Sequence, residues 1–246
     1  MANFNVESNI KVQSWLSSNE IDFDEYIKPL ENRWSKFIST EDHNFLVHSK
    51  DYGYFNLEVG CNWKFAIENY CESYHLPWVH PGLNSYSRLE DHYHITEYGS
   101  HSGQGSLVYK QLSDNKGQKF PDFENLSEKW ATGAEYIALY PNVLLGVHRD
   151  HAYAIILLPV SFSETIENVH IYYSKPNVSP SLKKKNKDQW KEVFEEDIFV
   201  VEGMQAGRLG VKFDGGRFSP QMDEPTHCFH DWVAKEVSRF RKQNLT

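Results

Sequence analysis

The sequence has few cysteines, no long apolar segment and no excess of basic charge. Its three cysteines are an odd number without the spacing of a disulfide framework, which indicates reduced thiols in a reducing compartment. No apolar run approaches the roughly 18 residues of a membrane span. The first residues, MANFNVESN, lack the basic and apolar regions of a signal peptide. These absences predict a soluble, cytoplasmic protein with no membrane contact.

The net charge of −9 argues against nucleic acid as a partner, because the basic residues form no stripe that would follow a phosphate backbone. A length of 246 residues suits one globular unit with a large core. We predict a single domain over residues 1–246, with a lead-in segment at 1–50. Within it, Tyr26, Leu30 and Trp34 repeat at helical spacing and predict an amphipathic helix near 22–37.

The stretch NWKFAIENYCESYHLPWVHP, residues 62–81, contains two histidines around a proline. The helical spacing of its apolar residues predicts a helix that ends near Pro77, because proline cannot donate the backbone hydrogen bond. His75 is then expected in the last turn and His80 just beyond it. On an unbroken helix these two side chains would diverge by about 140°. A turn after His75 would instead bring His80 back beside it.

Two imidazoles and one carboxylate on the same side form the facial triad of non-haem Fe(II) oxygenases, which leaves coordination positions open. The bare spacing of two histidines does not establish such a site, because packed or surface histidines are common. A candidate carboxylate lies in the helix predicted over 181–207, where Asp197 falls within an apolar stripe. A buried carboxylate is costly unless it is paired or binds a cation. Asp197 is therefore a metal ligand or a capping or ion-paired residue, whereas Glu195 and Glu196 are predicted to face solvent.

Taken whole, the 62–81 stretch resembles the iron-binding segment of Rieske-type non-haem iron oxygenases, the large subunits of the ring-hydroxylating dioxygenase family. The family also has a late helix with an Asp in an ED pair, followed by E-x-x-Q-x-G. The matching residues are Asn62-Trp63-Lys64, Glu68-Asn69, Glu72, His75, His80 and Pro81, and then Glu196-Asp197, Glu202, Gln205 and Gly207.

The resemblance implies that His75, His80 and Asp197 hold a mononuclear Fe(II), and it places Glu72 and Asn69 in the catalytic set. In the family, the acidic residue at position 72 links the histidine on the iron to a Rieske cluster of a neighbouring subunit in a trimer. A carboxylate that accepts the distal N–H of a bound histidine also orients the ring. The alternative is that Glu72 is an ordinary solvated glutamate.

A Rieske centre needs C-x-H followed by C-x-x-H, and this sequence has no such pair. Cys228-Phe229-His230 matches only the first half. The resemblance therefore covers the catalytic domain alone, and a [2Fe-2S] cluster is expected on a partner chain or a missing domain. It implies a Rieske or ferredoxin electron donor, an NAD(P)H reductase and a homotrimer.

Short apolar segments separated by turn residues, among which the glycine-rich SHSGQG of residues 100–105 is predicted as a turn, indicate antiparallel strands. With the resemblance, they imply an α+β fold in which a curved antiparallel sheet wraps around a long C-terminal helix, the helix-grip (START/Bet v 1-like) type. Residues 148–151 form the tip between two predicted strands. These residues either line a pocket or form a solvated hairpin turn. The predicted strands are Phe55–Val59 by alternation, then 93–98, 106–112, 136–140, 143–149, 153–160 and 169–174.

The tail predicts a last helix in which Phe229, Val233, Val237 and Phe240 pack on the sheet, while His227 and His230 are structural. The tail also resembles the ending of the family.

The activity implied is hydroxylation, dihydroxylation or oxidative demethylation of a small aromatic or quaternary ammonium substrate, with O2 as co-substrate. Residues 140–173 resemble members that oxidise quaternary ammonium compounds. The alternative is a metal-free module that binds small molecules, because a fold does not determine a function. Aromatic residues that could form a slot or a cation–π cage are Tyr86, Tyr109, Tyr140, Tyr153 and Trp130.

Overall fold

The fold is built on one antiparallel sheet of eight strands, in a computed structural model that describes residues 22–35, 46–124 and 126–244. The strand order is β1-β8-β7-β6-β5-β4-β3, and β2 pairs with β8 beside β1. The strands are β1 Val47–His48, β2 Tyr54–Val59, β3 His92–Glu97, β4 His101–Ser106, β5 Ala134–Leu139, β6 Val143–Val147, β7 His151–Ser161 and β8 Glu164–Tyr173.

Helices cover both faces of this sheet, which is why β5 and β6 are buried along their whole length. The inner face packs against α2, α6 and α7, and the outer face packs against α1. The helices are α1 Phe23–Trp34, α2 Trp63–Cys71, α3 Leu76–Val79, α4 Pro81–Asn84, α5 Glu128–Thr132, α6 Pro180–Arg208 and α7 Glu224–Asn244.

The helix predicted near 22–37 is confirmed as α1, which buries Tyr26, Leu30 and Trp34 against the outer face. Asp22 caps it by accepting from the backbone N–H of Glu25 at 3.0 Å. The rest of the predicted lead-in segment lies largely outside the described residues.

The fully buried Glu135 on β5 ties α1 to the outer face of the sheet. Its carboxylate accepts five hydrogen bonds of 2.7–3.1 Å. Burial opposes its ionisation, but the hydrogen bonds and charge of Arg33, with further donors, hold the pKa of Glu135 below its usual value. The donors are Arg33 Nε and Nη2, Trp34 Nε1, Tyr93 OH and Lys129 Nζ.

The strand predicted at 106–112 is wrong, and the glycine-rich segment before it, which was interpreted as a turn, forms β4. A Cβ at Gly103 would lie 2.0 Å from the Tyr136 backbone oxygen. A Cβ at Gly105 would lie 2.1 Å from Tyr93 Cζ. These glycines therefore reflect close packing within a buried strand.

The last helix is confirmed as α7, but its predicted apolar face is only partly correct. Phe229 and Trp232 are buried, as is Cys228, whereas Val237 and Phe240 are exposed by 44% and 66%. The C-terminal half of α7 therefore extends past the sheet. All three cysteines are free and buried, in agreement with reduced thiols. None of the helices in the described ranges is long and apolar enough to cross a membrane.

Candidate metal centre

His75 lies in a turn between two helices, not in the last turn of one helix as predicted. α2 ends at Cys71, because Glu72 adopts an extended backbone and its carboxylate accepts from the backbone N–H of Tyr74 at 2.6 Å. His75 then caps α3, where Pro77 occupies the first turn, a position that needs no N–H donor. The helix thus breaks several residues before Pro77, and the break brings Glu72 against the His75 ring.

The His75 imidazole is oriented by Glu72, whose Oε1 lies 2.5 Å from His75 Nδ1. A carboxylate can only accept, so Nδ1 carries the proton and the lone pair lies on Nε2. The buried Glu72 is 5% exposed, which argues against the solvated glutamate that the sequence left open.

His80 lies between α3 and α4 with 2% of its surface exposed. Its Nδ1 donates to Glu196 Oε2 at 2.7 Å, and its Nε2 lies 3.0 Å from Asp197 Oδ1. Burial disfavours the charged imidazole, but hydrogen bonds and charge from Asp197 and Glu196 raise the pKa of His80. The prediction that Glu196 faces solvent is only partly correct, because its side chain is 35% exposed but turns back to His80. Glu195 does face solvent, where it pairs with Lys191.

Asp197 completes the group from α6, as the apolar stripe predicted. Its Oδ1 accepts from Asn69 Nδ2 at 2.8 Å and lies 3.7 Å from His75 Nε2. One ligand atom from each of His75, His80 and Asp197 lies within 4.8 Å of the others. Because both Nδ1 atoms are engaged by carboxylates, both Nε2 atoms face the same point as Asp197. The donor set fits a facial triad for a divalent transition metal.

Two side chains of α6, between one and about two turns beyond Asp197, bind the backbone just before α2. Glu202 Oε1 accepts from the backbone N–H of Gly60, and Gln205 Oε1 accepts from that of Asn62, both at 2.9 Å. These bonds fix the entry to α2 against the helix that carries Asp197. The E-x-x-Q pattern in the sequence therefore corresponds to two side chains that hold α6 against the start of α2.

A pocket with about 450 Å³ of empty space, part of it open to solvent, lies beside the three candidate ligands. Gln104 and His92 are polar groups in its wall, and burial lowers the pKa of His92. Five aromatic side chains also line it, and burial holds the pKa of each tyrosine among them well above the usual value. The aromatic residues are Tyr70, Tyr136, Tyr153, Trp190 and Phe194.

Only one of the five aromatic residues proposed for a slot, Tyr153, lines this pocket. Tyr86 lines a neighbouring groove, and Tyr109 contacts Asp150 behind the wall. Tyr140 packs under α7, and Trp130 packs on the outer face of the sheet. Tyr70 and Tyr136 were missed, although each follows from the alternation or helical spacing of its element.

The tip at 148–151 is buried, so the solvated hairpin turn is wrong for its histidines and for Asp150. Trp190 Nε1–H donates to His151 Nε2 at 2.7 Å, and His151 Nδ1–H donates to Asp150 Oδ1 at 2.7 Å. His148 stacks on His151 and contacts Tyr136 OH at 3.3 Å. The tip lies behind the pocket and orients two of its aromatic walls.

The two histidines of α7, His227 and His230, lie outside the metal centre. His230 Nε2 lies 3.0 Å from Glu68 Oε1, and Glu68 also accepts from Arg208 Nη2 at 2.9 Å. His227 packs edge-on against Phe218. Both histidines are structural, as predicted.

The sheet and the three converging donors are those expected of a mononuclear non-haem iron oxygenase domain. The chain belongs to the family described as ring hydroxylating alpha subunit (catalytic domain), whose model matches residues 47–239. This confirms the resemblance drawn from the sequence.

The chain is similar to a putrescine 2-hydroxylase of Bordetella bronchiseptica, with 30% identity over 71% of this chain and 43% of that protein. It is also similar to the chloroplastic choline monooxygenase of Arabidopsis thaliana, with 27% identity over 70% of this chain and 38% of that protein. The chain therefore spans less than half the length of these relatives.

The fold matches a solved quaternary ammonium Rieske monooxygenase, whose structure is described in terms of carnitine oxidation and inter-subunit electron transfer. The TM-score is 0.66 at 19% identity, over 88% of this chain and 56% of that chain. Because the sequence identity is this low, the match shows a shared fold alone.

Proposed function

We propose that this chain is the catalytic part of an Fe(II)-dependent oxygenase in which His75, His80 and Asp197 hold the metal. The observation that carries the proposal is the convergence of their three ligand atoms within 4.8 Å. Bound Fe(II) would supply the one-electron chemistry that lets O2 oxidise a C–H bond. The proposal includes the helix-grip fold, in which the curved sheet wraps around a long C-terminal helix.

The chain's own residues orient the ligands and line the pocket beside them. Glu72 and Glu196 hold the two imidazoles by Nδ1, and Asn69 holds Asp197, so the three side chains keep their directions. The aromatic side chains line the space beside the ligands, where a small substrate would lie. Neutral tyrosine hydroxyls can donate hydrogen bonds there.

The substrate class follows from the pocket and the relatives together. The names of two relatives refer to putrescine, a primary diamine, and choline, a quaternary ammonium compound, both of which are small cations. Aromatic ring faces attract such cations. We therefore propose hydroxylation or oxidative demethylation of a small aliphatic amine or quaternary ammonium compound, ahead of an aromatic substrate.

The electron supply is proposed to come from a Rieske [2Fe-2S] centre on a partner chain or on a further domain, served by an NAD(P)H reductase. Glu72 supports this route, because it lies between the His75 ring and the surface turn that contains Tyr74. The fold relative described by inter-subunit electron transfer makes a multimer reasonable. The homotrimer and the cytoplasmic location stay predictions.

Iron content tests the metal centre directly. Purified chain reconstituted with Fe(II) is expected to hold about one iron per chain, and His75→Ala, His80→Ala or Asp197→Ala should abolish it. His94→Ala and Glu195→Ala are matched controls that should retain iron. Full occupancy in Asp197→Ala would refute the third ligand. A chain that binds amines but never iron would be the metal-free binding module instead.

Glu72→Gln tests the electron route at saturating iron. Gln retains the shape but loses the charge, so the iron should remain while product formation coupled to a reduced Rieske donor falls by about tenfold or more. The control is the exposed Glu58→Gln. Iron and coupled turnover are measured in the same preparation, and unchanged turnover in Glu72→Gln would remove Glu72 from the route.

A further inference from the structure

Glu167 on β8 is a carboxylate in an otherwise apolar row on the inner face of the sheet. It pairs in register with Leu57 of β2 and Leu157 of β7, both of which are buried. The next inward side chain along β8, Val169, is also buried and apolar. Apolar packing alone therefore does not account for a charged residue type at this position.

Within residues 22–35, 46–124 and 126–244, no hydrogen bond or ion pair reaches the Glu167 carboxyl group. Burial, and then the charge of Asp197, raise its pKa to about 8. A buried carboxyl group without a hydrogen-bond partner is costly, so Glu167 needs a partner from outside the chain.

Glu167 lines a small cavity that adjoins the metal centre. Asn69, Tyr70, Phe194 and Asp197 line both this cavity and the substrate pocket. The remaining walls are aliphatic apart from Glu167, and the free space suits little more than a water-sized group. A primary ammonium group has that size, whereas a trimethylammonium group is much larger.

We propose that Glu167 binds a primary ammonium group of the substrate, whose aliphatic chain runs past Tyr70 and Phe194 to the metal. This inference rests on the proposed function, because it takes the metal centre as the place of reaction. It narrows the substrate class to small primary aliphatic amines, including diamines. On binding, the Glu167 carboxyl group loses its proton to solvent, and the resulting carboxylate pairs with the ammonium charge. The narrow cavity excludes N-methylated groups.

Calorimetric titration of the whole chain tests this inference, with butylamine and butan-1-ol as probes that differ in their polar head group. We expect the wild-type chain to bind butylamine about tenfold or more tightly than butan-1-ol, as a charge-assisted hydrogen bond requires. Glu167→Gln should remove most of this preference. The exposed Glu164→Gln on the same strand should keep it. Butylamine binding that is equal in Glu167→Gln and wild type would overturn the proposal.

A second series needs no variant. Stepwise N-methylation of butylamine should weaken binding to the wild-type chain at each step, because the cavity has no room for methyl groups. Equal binding of butyltrimethylammonium would refute the primary-ammonium site. Both titrations are run with and without iron, so that the two proposals fail separately. Butylamine binding by a chain that never takes up iron would refute the oxygenase, whereas normal iron content with unchanged butylamine binding in Glu167→Gln would refute only the ammonium site.

Discussion

The two faces of the sheet each bury one glutamate, and the surroundings of the two carboxyl groups are opposite. Glu135 on the outer face accepts five hydrogen bonds, including two from the Arg33 guanidinium. Glu167 on the inner face receives none from the described part of the chain and borders a cavity. The pKa of Glu135 is accordingly held down, whereas that of Glu167 is raised to about 8.

The difference separates a structural carboxylate from one that faces a ligand. The chain itself neutralises Glu135, so this residue fastens α1 to the sheet. No hydrogen bond or ion pair from the described residues stabilises the Glu167 carboxyl group, so its partner must be a molecule that enters the site. The same residue type thus serves stability on one face, where it is fully buried, and recognition on the other, where it is 9% exposed.

The largest expected effect comes from making the same substitution at both sites. Glu135→Gln leaves Arg33 without its charge partner and should lower the free energy of unfolding by about 3 kcal/mol, as breaking a buried pair does. Glu167→Gln replaces an unpaired acid by a neutral group of the same shape, so it should leave stability unchanged or raise it. Urea unfolding at neutral pH measures both variants. Equal destabilisation by the two substitutions would break the comparison.

Per pH unit, a smaller effect is expected in the pH dependence of stability. Between the unfolded pKa of 4.5 and the folded pKa of about 8, the folded state holds a proton on Glu167 that the unfolded state has lost. The free energy of unfolding should therefore fall as pH rises through this window, by at most about 1.4 kcal/mol per pH unit.

Glu167→Gln should remove this contribution, so the difference between variant and wild type should grow in the variant's favour towards pH 8. Unfolding curves collected across the window measure it, and parallel pH profiles for the two proteins would contradict the raised pKa. For Glu135 the sign is reversed, because a lowered pKa gives stability that is lost as pH falls through the folded pKa.

The smallest effect concerns a single donor to Glu135. Tyr93→Phe removes the hydroxyl that donates at 2.7 Å and should cost about 1 kcal/mol, because four other hydrogen bonds remain. Tyr98→Phe, at an exposed tyrosine, is the matched control and should cost less. A loss for Tyr93→Phe as large as that for Glu135→Gln would mean that the network acts as one unit.

The missed strand β4 shows what sequence alone could not decide. Its glycines look like turn residues, and only the backbone of β5 and the ring of Tyr93 on β3 explain why no side chain fits there. The buried tip at 148–151 was missed for a similar reason, because its covering residue Trp190 lies about 40 positions later in the chain.

The sequence by itself determined the helix that carries Asp197, and its resemblance to the family singled out the three candidate ligands. Histidine spacing around a chain break and the 3.6-residue periodicity are local properties, so they can be read without knowing the fold. Only the tertiary structure decided that Glu196 turns to His80 and that Glu167 borders the cavity. The physical reason is that the environment of a buried polar group is created by residues far away in sequence, which pattern and composition do not specify.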